Sequence, residues 1–169
     1  MTEFLIKPDI DEIITRLRPH AADLEGRTIL VTGGRGFLGR YFTEVFAAMN
    51  ASVLETPARI ILLDNMITAG SAGSTEVTHP GIEFIQHNVI EPFDWKTDLD
   101  YVIHAAGIAS PYYYRAYPME TLEVAITGTR NMLELAQQHG SRFTFFSSSE
   151  IYGDPDPNHV PMQDSYRGN

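Results

Sequence analysis

Short, uninterrupted apolar runs alternate with longer amphipathic segments along this 169-residue chain, and the first run leads directly into a cluster of glycines. The predicted strands lie at 27–32, 59–64, 81–87, 100–105 and 141–146, and the one at 81–87 alternates between apolar and polar residues. A strand buried on both faces is apolar at nearly every position, and helices between such strands indicate a parallel sheet covered on both sides. We therefore predict an α/β fold, a doubly wound parallel sheet of about five strands in the order 3-2-1-4-5.

Apolar residues at helical spacing predict the helices of this fold. One helix is expected over 37–49 and a longer one over 118–139, with Gly140 as the C-terminal stop of the second. A shorter amphipathic helix over 9–18, with Asp9 as its expected N-cap, precedes the first strand. The helix and strand patterns together place helices between the strands, as the predicted sheet requires.

The domain organisation follows from where these patterns begin. We predict an N-terminal helical extension at 1–25, packed on the surface of one α/β domain at 26–169. Residues 65–80 are rich in Gly, Ser, Thr and Ala and are predicted to form a loop.

The glycines after the first strand are spaced as in a dinucleotide-binding loop. Gly33, Gly36 and Gly39 form G-x-x-G-x-x-G, and Gly34, Gly36 and Gly39 also satisfy G-x-G-x-x-G. One glycine permits a tight turn, the next lets the backbone approach a pyrophosphate, and the third lets helix and strand pack closely. The helix that follows directs its N–H groups at the phosphates. The pattern favours a Rossmann-type dinucleotide site, and the alternative is a tight turn that binds nothing.

Asp64 indicates which dinucleotide this site would take. It ends the second predicted strand, where a carboxylate accepts hydrogen bonds from the adenosine ribose and repels a 2′-phosphate. The sequence therefore predicts NAD rather than NADP. Arg35, inside the glycine loop, either neutralises a phosphate or is merely exposed.

Composition excludes several other classes of function. The chain has 12 basic and 22 acidic residues and a net charge of −10, so we expect binding to neither nucleic acid nor anionic membranes. It contains no cysteine, which excludes disulfides and thiolate catalysis, and its six histidines lack metal-ligand spacing, so no metal site is predicted. Without an apolar run of bilayer length or a signal-like start, we expect a cytoplasmic protein.

The order and spacing of several motifs resemble the extended short-chain dehydrogenase/reductase family of NAD-dependent nucleotide-sugar epimerases, dehydratases and decarboxylases. The segments that carry the resemblance are VTGGRGFLGRYF (31–42), ILLDNMITAG (61–70), HNVIEP (87–92), YVIHAAGIASP (101–111), TLEVAITGTRNMLELAQQHG (121–140) and FFSSSEIYGDP (145–155). The closest subgroup is the UDP-glucuronate decarboxylases, through HNVIEP, the ITGTRNMLELA helix and SSSEIYGDP. The resemblance implies a UDP-sugar substrate and NAD as cofactor.

The resemblance also implies which residues hold the cofactor. They would contact the pyrophosphate, the adenosine and the path between them. The implied residues are Gly33, Gly36, Phe37, Leu38, Gly39, Asp64, Asn65, Asn88, Val89, Ala105, Ala106 and Gly107. His104, which precedes the last three, is expected to be a packed core histidine rather than a base.

Two catalytic residues are implied by the same resemblance. Ser148 would hydrogen-bond the sugar hydroxyl that is oxidised, and Glu150 matches an acidic residue of the decarboxylases and dehydratases. Dehydratases carry Asp before this Glu, whereas this chain has Ser149, which argues against 4,6-dehydration. Substrate contacts are implied for Ser110, Tyr114 and Ser149. The alternatives are a polar loop at 147–149, a surface carboxylate at 150 and tyrosines that pack at the sheet edge.

One departure from the family concerns its catalytic base, a tyrosine followed four residues later by lysine. The only lysines are Lys7 and Lys96, and neither lies four residues after a tyrosine. We therefore interpret the chain as the N-terminal, NAD-binding portion of an enzyme, which ends before the substrate-binding part. The resemblance implies a homodimer for the full-length enzyme. The alternatives are an NAD-dependent nucleotide-sugar 4-epimerase and a non-catalytic NAD-binding module.

Overall fold

A computed structural model describes residues 7–68 and 79–168. Its centre is a five-stranded sheet in the order β3-β2-β1-β4-β5, and every neighbouring pair is parallel. The strands are β1 (Thr28–Thr32), β2 (Arg59–Asp64), β3 (Ile82–Gln86), β4 (Tyr101–His104) and β5 (Arg142–Phe145). The predicted fold class and strand order are confirmed.

The helix predicted over 37–49 extends beyond this range, and the helix predicted over 118–139 is interrupted. The helices are α1 (Lys7–Leu17), α2 (Phe37–Ser52), α3 (Pro111–Ala116), α4 (Pro118–Glu123) and α5 (Thr129–His139), and a π-helical turn, Val124–Gly128, joins α4 to α5. Short 3₁₀ turns cover Arg18–Asp23, Ser149–Tyr152 and Pro157–His159. The single helix predicted over 118–139 is thus one helical run with a wide turn in its middle.

Two apolar layers pack against the two faces of the sheet. Alternate residues of β1 point to opposite layers: Ile29 and Val31 join α2 on one face, and Leu30 joins α5 on the other. Successive side chains of a strand point to opposite faces, so a strand covered on both faces must be apolar throughout. This packing is the physical reason for the uninterrupted apolar runs in the sequence.

The N-terminal segment packs on the first of these layers. Ile10, Ile13, Ile14 and Leu17 of α1 contact the cluster that includes α2. The helix begins at Lys7, so the prediction of Asp9 as N-cap was wrong. Asp9 lies in the first turn instead, where its carboxylate accepts a hydrogen bond from the Tyr41 hydroxyl at 3.1 Å.

Two further differences concern loops and membranes. Helix α3 lies in a segment for which no helix was predicted, and of the loop expected at 65–80, residues 69–78 lie outside the described part of the chain. Across residues 7–68 and 79–168, none of the helices combines the length and apolarity needed to span a bilayer.

Candidate functional site

A cavity of about 360 Å³ opens where the carboxyl ends of β1, β2 and β4 meet. In parallel α/β sheets, ligands bind at this edge, where neighbouring connections leave in opposite directions. All twelve residues implied as cofactor contacts line it: Gly33, Gly36, Phe37, Leu38, Gly39, Asp64, Asn65, Asn88, Val89, Ala105, Ala106 and Gly107. The fold thus brings residues up to 74 positions apart in the sequence to the wall of one cavity.

The glycine loop follows β1 and forms one wall of this cavity. Gly33 has a φ of +71°, and a Cβ there would lie 2.7 Å from the carbonyl oxygen of Ala105. Gly36 donates its N–H to the Gly33 oxygen at 3.0 Å, which closes the turn. Only glycine satisfies both the backbone angle and the close approach at position 33.

Gly39 allows α2 to start directly against the loop. A Cβ at Gly39 would lie 2.2 Å from the Gly33 oxygen, so no side chain fits there. The first turn of α2 therefore lies directly beside the glycine loop, with Phe37 and Leu38 exposed at the cavity wall. The unpaired N–H groups of that turn make the wall suited to an anion.

Asp64 is held in a fixed orientation at the end of β2. Its Oδ2 accepts the backbone N–H of Arg35 at 2.9 Å, and its Oδ1 accepts that of Met66 at 2.7 Å. Each carboxylate oxygen retains a further lone pair for a ligand hydroxyl. The carboxylate thus ties the glycine loop to β2 and still presents acceptors to the cavity.

Arg35 does not belong to the set of side chains that line the cavity. Its guanidinium carbon lies 5.8 Å from the centre of the Phe84 ring. The pKa of Arg35 lies below its ordinary value, because burial and then the neighbouring Arg40 lower it more than the Asp64 carboxylate raises it. The Arg35 side chain is thus partly buried and lies near Phe84 and Asp64.

The opposite side of the cavity is formed by Asn88 and Val89, after β3. Val89 is buried, and its carbonyl accepts a hydrogen bond from the Asn131 amide at 2.9 Å. The π turn packs directly on it, since a Cβ at Gly128 would lie 2.8 Å from a methyl group of Val89. The wide turn in the helix thus has a specific packing partner at the cavity.

The third wall, at 105–107, is held by a residue that the sequence reasoning missed. The Thr32 hydroxyl oxygen accepts the N–H groups of Ala105 and Ala106 at 3.2 and 3.0 Å. Thr32 is buried at the end of β1 and precedes the glycine loop. A threonine at the end of a β-branched run carries no signal of this role in the sequence alone.

Ser148 and Glu150 lie outside the cavity wall. Ser148 precedes the 3₁₀ turn Ser149–Tyr152, and its hydroxyl accepts the N–H of Glu150 at 3.2 Å. Both side chains are exposed, as is Ser149. The serine is therefore a local cap of this turn, and the Glu150 carboxylate faces solvent.

The implied substrate contacts at Ser110 and Tyr114 are also exposed and lie outside the wall. Ser110 is the N-cap residue of α3, and its carbonyl accepts the N–H of Tyr114 at 2.9 Å. Further residues line the cavity although the sequence analysis did not name them as contacts: Leu63, Ile67, Thr68, His87, Ile90, Ile108, Ala109, Glu120 and Val124. All but Glu120 lie within the family segments quoted above, and Glu120 and Val124 come from the helical run that begins at Pro118.

These residues fit an extended dinucleotide. Cβ atoms at Gly33 and Gly39 would collide with backbone, and the loop without side chains leaves space for a pyrophosphate at the start of α2. Asp64 offers acceptors at the end of the neighbouring strand. The fit depends on the glycine loop and Asp64 together, because the loop alone is equally consistent with a tight turn that binds no ligand.

Comparison with known proteins agrees with this geometry. Residues 29–168 match the family model described as the NAD dependent epimerase/dehydratase family. UDP-glucuronic acid decarboxylase 2 of Arabidopsis thaliana is 35% identical over 86% of this chain and 30% of its own length. UDP-glucuronic acid decarboxylase 1 of Danio rerio is 32% identical over 98% of this chain and 41% of its own length.

A solved structure has the same fold. The UDP-glucose 4-epimerase of Thermus thermophilus, in complex with NAD, is 25% identical with a TM-score of 0.59, over 84% of this chain and 44% of that one. The chain thus spans less than half the length of each of these proteins. The match over 29–168, with the cavity at the expected sheet edge, confirms that this chain belongs to the NAD-dependent epimerase/dehydratase family.

Proposed function

We propose that the chain is the NAD-binding part of a nucleotide-sugar-modifying enzyme that acts as a UDP-glucuronate decarboxylase. The observation that carries the proposal is a glycine loop with no room for a Cβ at Gly33 or Gly39, together with the Asp64 carboxylate held in the same cavity. The decarboxylase relatives, at about a third identity, support the choice within the family.

Each wall of the cavity has a part in holding the dinucleotide. The backbone at Gly33 and Gly36 and the first turn of α2 would receive the pyrophosphate, where N–H groups and the helix dipole favour negative charge. Asp64 would accept the adenosine ribose hydroxyls, and Asn88 and Val89 would flank the adenine. The segment 105–107 would line the path toward the nicotinamide.

NAD supplies the chemistry of the reaction, because it accepts a hydride from a carbon of the sugar and can return it. Loss of a hydride from C4 and of a proton from its hydroxyl leaves a 4-keto sugar. A carboxylate at C6 then lies β to the ketone, and its bond to C5 breaks to release CO₂. The electron pair left at C5 takes up a proton, and return of the hydride to C4 completes the reaction. Ser148 would orient the C4 hydroxyl, and Glu150 would act beside the sugar ring.

Activity is tested by incubating the protein with NAD⁺ and UDP-glucuronate and measuring CO₂ release and NADH absorbance. The 169-residue chain should show no turnover, because it contains no tyrosine–lysine pair at the family spacing. Loss of a general base alone costs about 10²–10⁴-fold. The product of the complete gene should release CO₂, and turnover by the short chain would contradict this part of the proposal.

The role of Glu150 is tested in the same complete gene product. Glu150→Gln should lower CO₂ release by about 10²-fold or more if the carboxylate moves a proton. Glu134→Gln removes another exposed carboxylate, on α5, and is the matched control. Equal rates for the two variants would show that Glu150 is only a surface residue.

A second candidate, a nucleotide-sugar 4-epimerase, is favoured by the likeness to the Thermus thermophilus enzyme. The same assay separates the two, because an epimerase inverts C4 and releases no CO₂. NAD binding by the complete gene product without conversion of any UDP-sugar would instead indicate a non-catalytic NAD-binding module.

A further inference from the structure

His104 is a fully buried histidine at the meeting point of the cavity walls. It ends β4 directly opposite Thr32 of β1 and is 1% exposed. The rings of Phe143 and Phe145 flank it, with centroids 6.2 and 5.8 Å from the imidazole. A polar ring buried among apolar ones is costly unless its nitrogens are hydrogen-bonded, so its partners are informative.

The hydrogen bonds around His104 assign its tautomer. A hydroxyl oxygen has two acceptor lone pairs and one proton. Both lone pairs of Thr32 Oγ1 receive amide N–H groups, those of Ala105 and Ala106. The Thr32 hydroxyl therefore donates its proton to His104 Nδ1, which lies 2.7 Å away. Nδ1 accepts, and the ring proton lies on Nε2, 3.2 Å from the Thr129 hydroxyl oxygen.

His104 and Thr32 together connect two walls of the cavity with the helical run that packs on Val89. Thr32 precedes the glycine loop, Ala105 and Ala106 begin the wall at 105–107, and Thr129 follows the π turn whose Val124 lines the cavity. The first two walls are in close contact, since a Cβ at Gly33 would lie 2.7 Å from the Ala105 oxygen. A shift of either wall changes the width of the path between them.

We propose that His104, as a neutral imidazole protonated on Nε2, is a positioning residue that fixes the glycine loop, the segment 105–107 and the start of α5 relative to one another for NAD binding. The role rests on the proposed binding of NAD and adds to it a residue that does not line the cavity. Burial, which lowers the pKa of His104 to about 4, keeps the ring neutral near neutral pH.

Variants of Thr129 and His104 separate this role from a purely structural one. Thr129→Val preserves the shape but removes the acceptor for Nε2–H, whereas Thr129→Ser retains the hydroxyl. His104→Asn places an amide oxygen where Nδ1 accepts from Thr32 but loses the contact with Thr129. We expect Thr129→Val and His104→Asn each to weaken NAD binding about tenfold, and Thr129→Ser to leave it within about twofold.

The double variant Thr129→Val/His104→Asn gives a sharper result. Both substitutions remove the contact between His104 and Thr129, so the double variant should bind NAD about as weakly as either single variant. Independent effects would instead multiply to a loss of about 100-fold relative to the unsubstituted chain. NAD affinity is measured by calorimetry, and the free energy of unfolding by urea titration. If the variants lower only the unfolding free energy and leave NAD affinity unchanged, His104 is structural and the proposal is overturned.

An NMR measurement tests the tautomer without any ligand. The ¹⁵N shifts of the His104 ring near neutral pH should show a protonated Nε2 and an unprotonated Nδ1. A charged ring or the opposite tautomer would overturn the proposal even if a variant fails to fold. Absence of NAD binding by the unsubstituted chain would instead refute the proposed function and this role with it.

Discussion

Lowering the pH from about 7 to about 5 should destabilise the folded chain through His104. Burial lowers the pKa of this histidine from its ordinary 6.5 to about 4 in the folded state. Between these two values the unfolded chain binds a proton that the folded chain does not. The stabilisation is therefore fully present above the unfolded pKa and is lost as the pH falls toward the folded pKa.

The size of the effect follows from the difference between the two pKa values. A shift of one pKa unit corresponds to about 1.4 kcal/mol, so the difference between the two pKa values contributes about 3 kcal/mol to the free energy of unfolding. By proton linkage, about 2 kcal/mol of this is lost between about pH 7 and about pH 5. A loss of this size is a substantial fraction of the stability of a domain of this length.

The assay is urea unfolding followed by the fluorescence of Trp95, the single tryptophan of the chain, which packs against the core cluster on the α5 side of the sheet. The control is His104→Asn, which keeps all other titrating groups and removes only this one. We expect the unsubstituted chain to lose about 2 kcal/mol more than the variant over this pH interval. Equal losses in the two proteins would refute the reasoning, because the other histidines and carboxylates are common to both.

Two further predictions concern the glycine loop and its carboxylate partner. Asp64→Ala should weaken NAD binding and narrow the difference between NAD and NADP, measured by calorimetry, because the carboxylate accepts ribose hydroxyls and repels a phosphate. Equal affinity of the unsubstituted chain for both cofactors would contradict this. Gly39→Ala should lower the free energy of unfolding by about 1–3 kcal/mol, since its Cβ would meet the Gly33 oxygen at 2.2 Å. Gly107→Ala, where a Cβ would meet no atom within 4 Å, is the control and should leave the unfolding free energy unchanged.

The strands and the glycine loop were predictable because local residue patterns determine them. β1 and β2 are buried on both faces, and that burial requires apolar residues at consecutive positions. Gly36 and Gly39 are required by backbone contacts with Gly33 and Gly34, within the same loop, so the sequence spacing records these contacts directly.

Features that depend on distant contacts were not predictable in the same way. The π turn packs through Gly128 on Val89, and the role of Thr32 depends on its register with β4, more than 70 residues away. The short helix α3 was missed because its run of tyrosines has no apolar periodicity. Ser148 and Glu150 follow from family resemblance alone, and their exposed positions leave their catalytic roles as proposals.

The binding of NAD to the unsubstituted chain and to Gly36→Val tests the central claim most directly. Gly36 has a φ of −70°, which valine also adopts, and a Cβ there would lie 3.2 Å from the Gly33 oxygen, so the variant should remain folded after a small shift. Calorimetry should show one NAD site in the unsubstituted chain and a loss of affinity of about 100-fold or more in the variant, because its side chain would occupy the pyrophosphate position. Equal NAD affinity in the two proteins, or no NAD binding by the unsubstituted chain, would contradict a dinucleotide site at this loop.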